Sequence, residues 1–272
     1  MGGLAEYAAH HRLVAQVYPV ILGPISHRPG TSAGIPQHLR GKPRRLIDTT
    51  MTGGDLDISA AGDYVIEGNT WTTTNAVATT LIAEASGVRA VSNHATGQRL
   101  LIEIPEVSAG SLICATVEWE VVTMASTAQS VWVKLKQAAG TTDTQYDVLV
   151  ACYRHSASSW RPKHGYRGSS SHVTGYTGDN PWASSQPSTV VMSVWGSGYS
   201  WGVAMSSASL TGRPPFRGLP ATNNAAGSLR SRSNGQSSGD ILPHMRYLAL
   251  GWNSNGNNIE ARVKRVIVEA AL

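Results

Sequence analysis

Between Leu112 and Lys136 the chain alternates twice in a manner suited to strands. Val117, Trp119 and Val121 interleave with Glu118 and Glu120. Val131, Val133 and Leu135 interleave with Trp132, Lys134 and Lys136. Successive side chains of a strand point to opposite faces, so each run has one apolar and one polar side. The small polar break Ala125-Ser-Thr-Ala128 between them predicts a hairpin. Two strands cannot bury an apolar face alone, so a second sheet must cover it. The expectation is an all-β fold, an antiparallel β-sandwich.

The rest of the chain agrees. Short strand-like runs recur at Asp55–Ser59, Tyr64–Glu67, Ala78–Glu84, Val88–Ser92, Leu100–Ile104, Gln145–Tyr153, Thr189–Trp195 and Ser200–Met205, with turn residues between them. Gly196-Ser-Gly198 predicts a hairpin between the last two. Met245–Trp252 and Ile259–Glu269 follow, parted by an Asn-rich turn, and a bulge is expected at Lys264-Arg265, where alternation fails. Two stretches read otherwise. Residues 154–188 read as a long loop, and residues 206–240 as low-complexity chain with little regular structure. Charged residues make up only 14% of the 272, while small and β-branched residues abound, which disfavours helices.

The charge is confined to one end. Arg12, Arg28, Arg40, Lys42, Arg44 and Arg45 stand against Glu6 alone in residues 1–45, and that excess equals the net charge of +5 of the whole chain. Residues 4–18 could form a short helix. Beyond it, Pro19, Pro24, Pro29, Pro36 and Pro43 forbid helix and central strand alike. Residues 1–45 are therefore expected to be an extended basic arm that docks on a partner, and residues 46–272 a neutral sandwich. The neutral body argues against nucleic acid as that partner. No apolar run approaches a membrane span, and no signal peptide is recognised at the N-terminus, so synthesis in a reducing cytoplasm is expected. Cys114 and Cys152 lie in apolar strands and are expected buried and reduced, with a bridge between neighbouring strands as the lesser alternative.

Candidate chemistry is sparse. Glu118 and Glu120 share one strand face with Cβ atoms about 7 Å apart, a separation two glycosidase carboxylates could use, but a solvated sheet face explains them better. His155, His164 and His172 are spaced too widely for a zinc site. No nucleophile elbow or phosphate-binding glycine loop is present, so neither a cofactor nor an enzymatic role is expected. The aromatic residues Trp160, Tyr166, Tyr176 and Trp182 of the 154–188 stretch suit sugar rings, although anchoring that stretch is the commoner use of such residues.

The run Tyr247-Leu-Ala-Leu-Gly-Trp252, the Asn-rich turn, and Ala261-Arg-Val-Lys-Arg-Val-Ile-Val-Glu269 resemble the end of concanavalin A-like, lectin/glucanase-type jelly-roll domains in tailed-phage virion proteins. The proline-rich arm and the Thr/Ala/Gly/Asn-rich body are similar to phage tail, fibre and capsid-decoration proteins. The resemblance implies a non-enzymatic virion component, held by its arm to other virion proteins and assembling as a homo-oligomer. It also offers an alternative, a lectin-like module for host-surface glycans. The clustered carboxylates of the hydrolases in that group are missing here.

Overall fold

The computed structural model describes residues 44–74, 79–93, 99–105, 112–139, 147–167, 172–176, 185–197, 200–206, 229–233 and 245–271. All the regular structure in them is strand: β1 (Arg44–Thr49), β2 (Leu56–Asp57), β3 (Gly62–Ile66), β4 (Asn69–Thr74), β5 (Thr79–Glu84), β6 (Gly87–Ser92), β7 (Arg99–Glu103), β8 (Leu112–Met124), β9 (Ser130–Lys136), β10 (Asp147–Ser156), β11 (Ser159–Arg167), β12 (His172–Tyr176), β13 (Thr189–Ser197), β14 (Ser200–Ser206), β15 (Leu229–Ser233), β16 (Tyr247–Asn253) and β17 (Ile259–Ala271). Sheet A runs β15-β14-β13-β8-β17-β6-β5-β2, with β1 also paired to β17. Sheet B runs β12-β11-β10-β9-β16-β7-β4-β3. Every pairing is antiparallel.

The two orders mirror one another. The chain crosses between sheets at β8–β9, β16–β17, β6–β7, β4–β5 and β2–β3, and the partners hold matching places in the two layers. This nested wrapping is that of a jelly roll. The expected antiparallel sandwich is what the chain forms. One expected hairpin is not a hairpin, however. β8 pairs with β13 and β17, and β9 pairs with β10 and β16, so Ala125–Gln129 arches from one sheet to the other. The Asn-rich turn between β16 and β17 is a second arch at the same pole. The β13–β14 hairpin is formed. The expected bulge is also there, as a register shift between Val263 and Arg265 of β17 against β8.

The core fills the space between the layers. Val117, Trp119 and Val121 of β8 meet Val131, Val133 and Leu135 of β9, with Trp71, Leu100, Leu250 and Trp252 in the same cluster. Trp71, Trp119 and Trp252 are among the largest fully buried side chains. Burying one such side chain contributes on the order of 3 kcal/mol.

The two stretches read as a long loop and as chain with little regular structure both carry strands. β11 and β12 lie within 154–188 and extend sheet B, and β15 lies within 206–240 and extends sheet A. Pro162 pairs with Cys152 of β10 and precedes Lys163, the first residue of β11 that pairs with β12, so its missing N–H interrupts no bond on the β12 side. β15 needs only backbone pairing with β14. The Thr-rich run after Gly68 is β4, where β-branched side chains suit the pleat. The helix expected over residues 4–18 lies outside the described residues.

Candidate binding surface

Each sheet has an outer face, and the two differ in kind. On sheet A, the inward positions of β8 alternate with Glu118 and Glu120. Arg262 of β17 donates from Nη1 to Glu120 Oε2 at 2.7 Å and from Nη2 to Glu84 Oε2 at 2.9 Å. Arg89 Nε donates to Glu260 Oε1 at 2.7 Å. A second group joins β1 to the far half of β17. Arg45 donates to Glu269 Oε1 from Nε at 3.3 Å and from Nη2 at 3.1 Å, and Arg265 donates to both oxygens of Asp48 at 3.1 and 3.2 Å. Burial raises the Glu269 carboxyl above the ordinary range more than the Arg45 hydrogen bond lowers it. For Asp48, burial is outweighed by Arg265 and Arg45, which hold its carboxyl below the ordinary range.

This face is a ladder of cross-strand ion pairs between β1, β5, β6, β8 and β17. A glycosidase pair needs one carboxylate free to attack and one protonated to donate. Glu120 is instead held against a guanidinium. The ladder fixes register more than it supplies chemistry.

Sheet B presents a different surface. Leu101, Trp132, Ala151 and Ala249 form an apolar cluster separate from the core, with Leu149 and Tyr247 packed against it. They come from β7, β9, β10 and β16, at positions that alternate with the inward ones. Cations cover the rings. Lys134 Nζ lies 5.3 Å from the Trp132 ring centroid, Lys163 Nζ 5.4 Å from that of Tyr153, and Arg246 Cζ 6.0 Å from that of Tyr247. Lys134 Nζ also contacts Asp147 Oδ2 at 3.3 Å, and Arg246 is paired with Glu103. Sequence reasoning missed this surface because Trp132 was counted as one more residue on a polar face. The signal was there: a tryptophan in alternation with Lys134 and Lys136 shares their side.

Of the predicted glycan residues, Trp160 is a core residue at 6% exposure, with Arg154 Cζ 5.3 Å from its ring centroid. Its faces pack inside the sandwich, so the sugar-stacking role expected of it does not fit its position. Tyr166 and Tyr176 lie on β11 and β12, but their side chains, like the whole of Trp182, are outside the described residues. Of the docking residues, Arg12, Arg28, Arg40 and Lys42 lie outside them too. Arg44 and Arg45 begin β1, so the sandwich starts two residues earlier than expected, and Arg45 is engaged with Glu269 and Asp48 rather than held for a partner. His155 is the penultimate residue of β10, and His164 is half-buried on β11, where burial lowers its pKa. His172 is on β12. Among the described residues no group of three His, Cys, Asp or Glu could hold a metal ion. Cys114 and Cys152 are free and buried, one in each sheet, and burial pushes both thiols far up.

No protein-family model matches the chain, and no curated protein sequence does. Similar solved structures include the CBM2 module of the evolved Dit of Lactobacillus casei BL23 phage J-1, at 9% identity and a TM-score of 0.46 over 84% of this chain and 95% of that one. The carbohydrate recognition domain of Emp47p is similar at 10% identity and a TM-score of 0.44, over 80% and 94%. A prokaryotic β-1,3-1,4-glucanase from a mouse hindgut metagenome is similar at 7% identity and 0.45, over 76% and 95%. The strand order and register define the sandwich independently of these likenesses.

Proposed function

We propose that the chain is a non-enzymatic structural component of a bacteriophage virion, of tail, fibre or capsid-decoration type, made in the host cytoplasm. Residues 1–43 are its docking arm, and the sandwich projects from the particle as part of a homo-oligomer. The observation that carries this reading is where the arm joins the body. Arg44 pairs with Ala270, and Leu112 with Ala271, so the arm enters at the pole where β17 ends. The arches at Ala125–Gln129 and Asn253–Asn258 form the opposite pole. A body held through one pole leaves the other pole and the sheet faces for neighbours or ligands.

The test is removal of residues 1–43 followed by assay of incorporation into particles. The folded body should survive and incorporation should be lost; unchanged incorporation would reject the docking role. The cut stops before Arg44 because a cut after Arg45 would strip Glu269 of its partner.

The second reading is a carbohydrate-binding module, and the aromatic cluster on the outer face of sheet B favours it. The partly exposed rings of that face are Tyr153 and Tyr247, beside Lys163 and Arg246, whereas Trp132 is buried beneath them at 9% exposure; accessible rings beside hydrogen-bond donors are what pyranose recognition uses. On a broad glycan array Tyr153→Ala and Tyr247→Ala should weaken any signal, and a blank array for the wild type would count against this reading.

A further inference from the structure

We infer that the chain assembles head to tail, the β12 edge of sheet B in one copy pairing antiparallel with the β3 edge of sheet B in the next; this rests on the homo-oligomeric virion reading and names its contact. Among the described residues nothing pairs beyond β3 or β12, which end sheet B on its two sides. Each is five residues long and unbulged, and neither holds the proline or lysine that commonly protects an exposed edge. Their heights match. The row of paired residues that starts at Asp63 on β3 crosses Lys134 of β9 and ends at Thr174 on β12. Their directions suit each other as well. β3 runs with β9, away from the Ala125–Gln129 arch, and β12 runs against it, so a neighbour in the same orientation supplies an antiparallel partner. That register sets Asp63 against Thr174, Tyr64 against Val173 and Val65 against His172.

Charge selects a second copy as the partner and decides which edges meet. Residues 46–88, which include β2 to β5, hold Asp48, Asp55, Asp57, Asp63, Glu67 and Glu84 with no Lys, Arg or His. Asp48 and Glu84 are paired with arginines inside the body, but Asp55, Asp57 and Asp63 meet no cation among the described residues. Residues 148–178, which include β11 and β12, hold Arg154, Arg161, Lys163 and Arg167 with no Asp or Glu. A two-fold contact would set acid against acid or base against base, whereas unlike edges bring opposite signs together. The attraction acts between whole edges, so Lys163 keeps its place over Tyr153. Val65, at 65% exposure the most open large apolar side chain among the described residues, loses water in the contact. A contact between unlike edges repeats, closing into a ring or running on as a filament, and it leaves adjoining arms at the same end of the junction.

The experiment follows the mass of the full chain by sedimentation across concentration and salt. Oligomers should form at low salt and dissociate as salt rises. Val65→Lys, at a side chain the fold leaves open, should weaken association at least about tenfold. Directly opposed strand residues have Cα atoms about 4.5–5.5 Å apart, within disulfide reach. Asp63→Cys with Thr174→Cys in one chain should therefore give a covalent ladder or a closed ring on mild oxidation, and the two single variants should give dimers only when mixed. Cys114 and Cys152 are buried and stay out of the reaction. Disulfide dimers from Asp63→Cys alone would make the contact two-fold and overturn the head-to-tail arrangement. Oligomers that give no such ladder would overturn this contact while leaving a homo-oligomer in place. A chain that stays monomeric at every concentration and salt would overturn both.

Discussion

Glu67 occupies a backbone conformation that its side chain makes tolerable. With Gly68 it forms the two-residue turn between β3 and β4, and both have positive φ, +47° and +76°. Such a φ is costly for a residue with a Cβ. The carboxylate accepts from Thr49 Oγ1 at 2.6 Å, from the Thr50 N–H at 2.8 Å, and from the hydroxyls of Thr50 and Thr52. Burial raises its pKa, but these four donors outweigh burial and hold the carboxyl at about 2 against an ordinary 4.5. A carboxyl depressed on folding stabilises the fold above its unfolded pKa and loses that contribution as pH falls from about 4.5 through about 2. Urea midpoints measured across that window should therefore drop more for the wild type than for Glu67→Gln. If the two fall in parallel, the clamp does not contribute. The turn itself was legible, since Gly68-Asn69 marks it. The clamp was not, because Thr49 lies 18 residues upstream and nothing in a local pattern joins the two.

Alternation discloses which side of a strand is buried, and it is silent on which strand lies alongside. That is why β8 and β9 could be placed in a sandwich from their residues alone, yet were paired with each other wrongly. The arch is held by Gln129, which is fully buried. Its Nε2 donates to the carbonyls of Ser254, Asn257 and Asn258 at 2.9 to 3.0 Å, and its Oε1 accepts from the Ser126 N–H at 2.9 Å. One amide thus ties the two sheet-crossing arches together. Gln129→Ala leaves these groups without their partner and should cost about 2–4 kcal/mol in chemical denaturation. A second element-level test sits where β6 meets the bulge of β17. Gly87 has φ +120°, and a Cβ there would lie 2.2 Å from the Val263 carbonyl oxygen. Gly87→Ala should cost about 2–4 kcal/mol by the same measurement, and a neutral result would mean that β6 and β17 part easily. As a turn signal Gly87 was visible in the sequence; its second duty, close approach to β17, belongs to a strand far along the chain.

At the scale of the molecule, the sequence conveyed the layered β body and the charge asymmetry, because both are sums over many residues. It did not convey the face on sheet B, which is assembled from four strands that the chain visits at separate times. It also drew the arm's border two residues late. That border has a measurable meaning. Removing residues 1–43 should leave the melting temperature within about 2 °C, whereas removing residues 1–49 takes β1 from sheet A, Arg45 from Glu269 and Thr49 from Glu67, and should lower it by at least about 6 °C. Equal melting temperatures would make β1 an ornament of the sheet.

The position of β16 and β17 carries a consequence for how the molecule is made. β16 lies between β9 and β7, and β17 between β8 and β6, so the strands translated after all the others described occupy the middle of both sheets. A nascent chain still short of Ile259 holds β8 and β6 with bare backbone edges toward each other and no wedge between them. Until the ribosome delivers that wedge, the two halves of sheet A cannot join, and the raw edges invite the same edges of a neighbouring nascent chain.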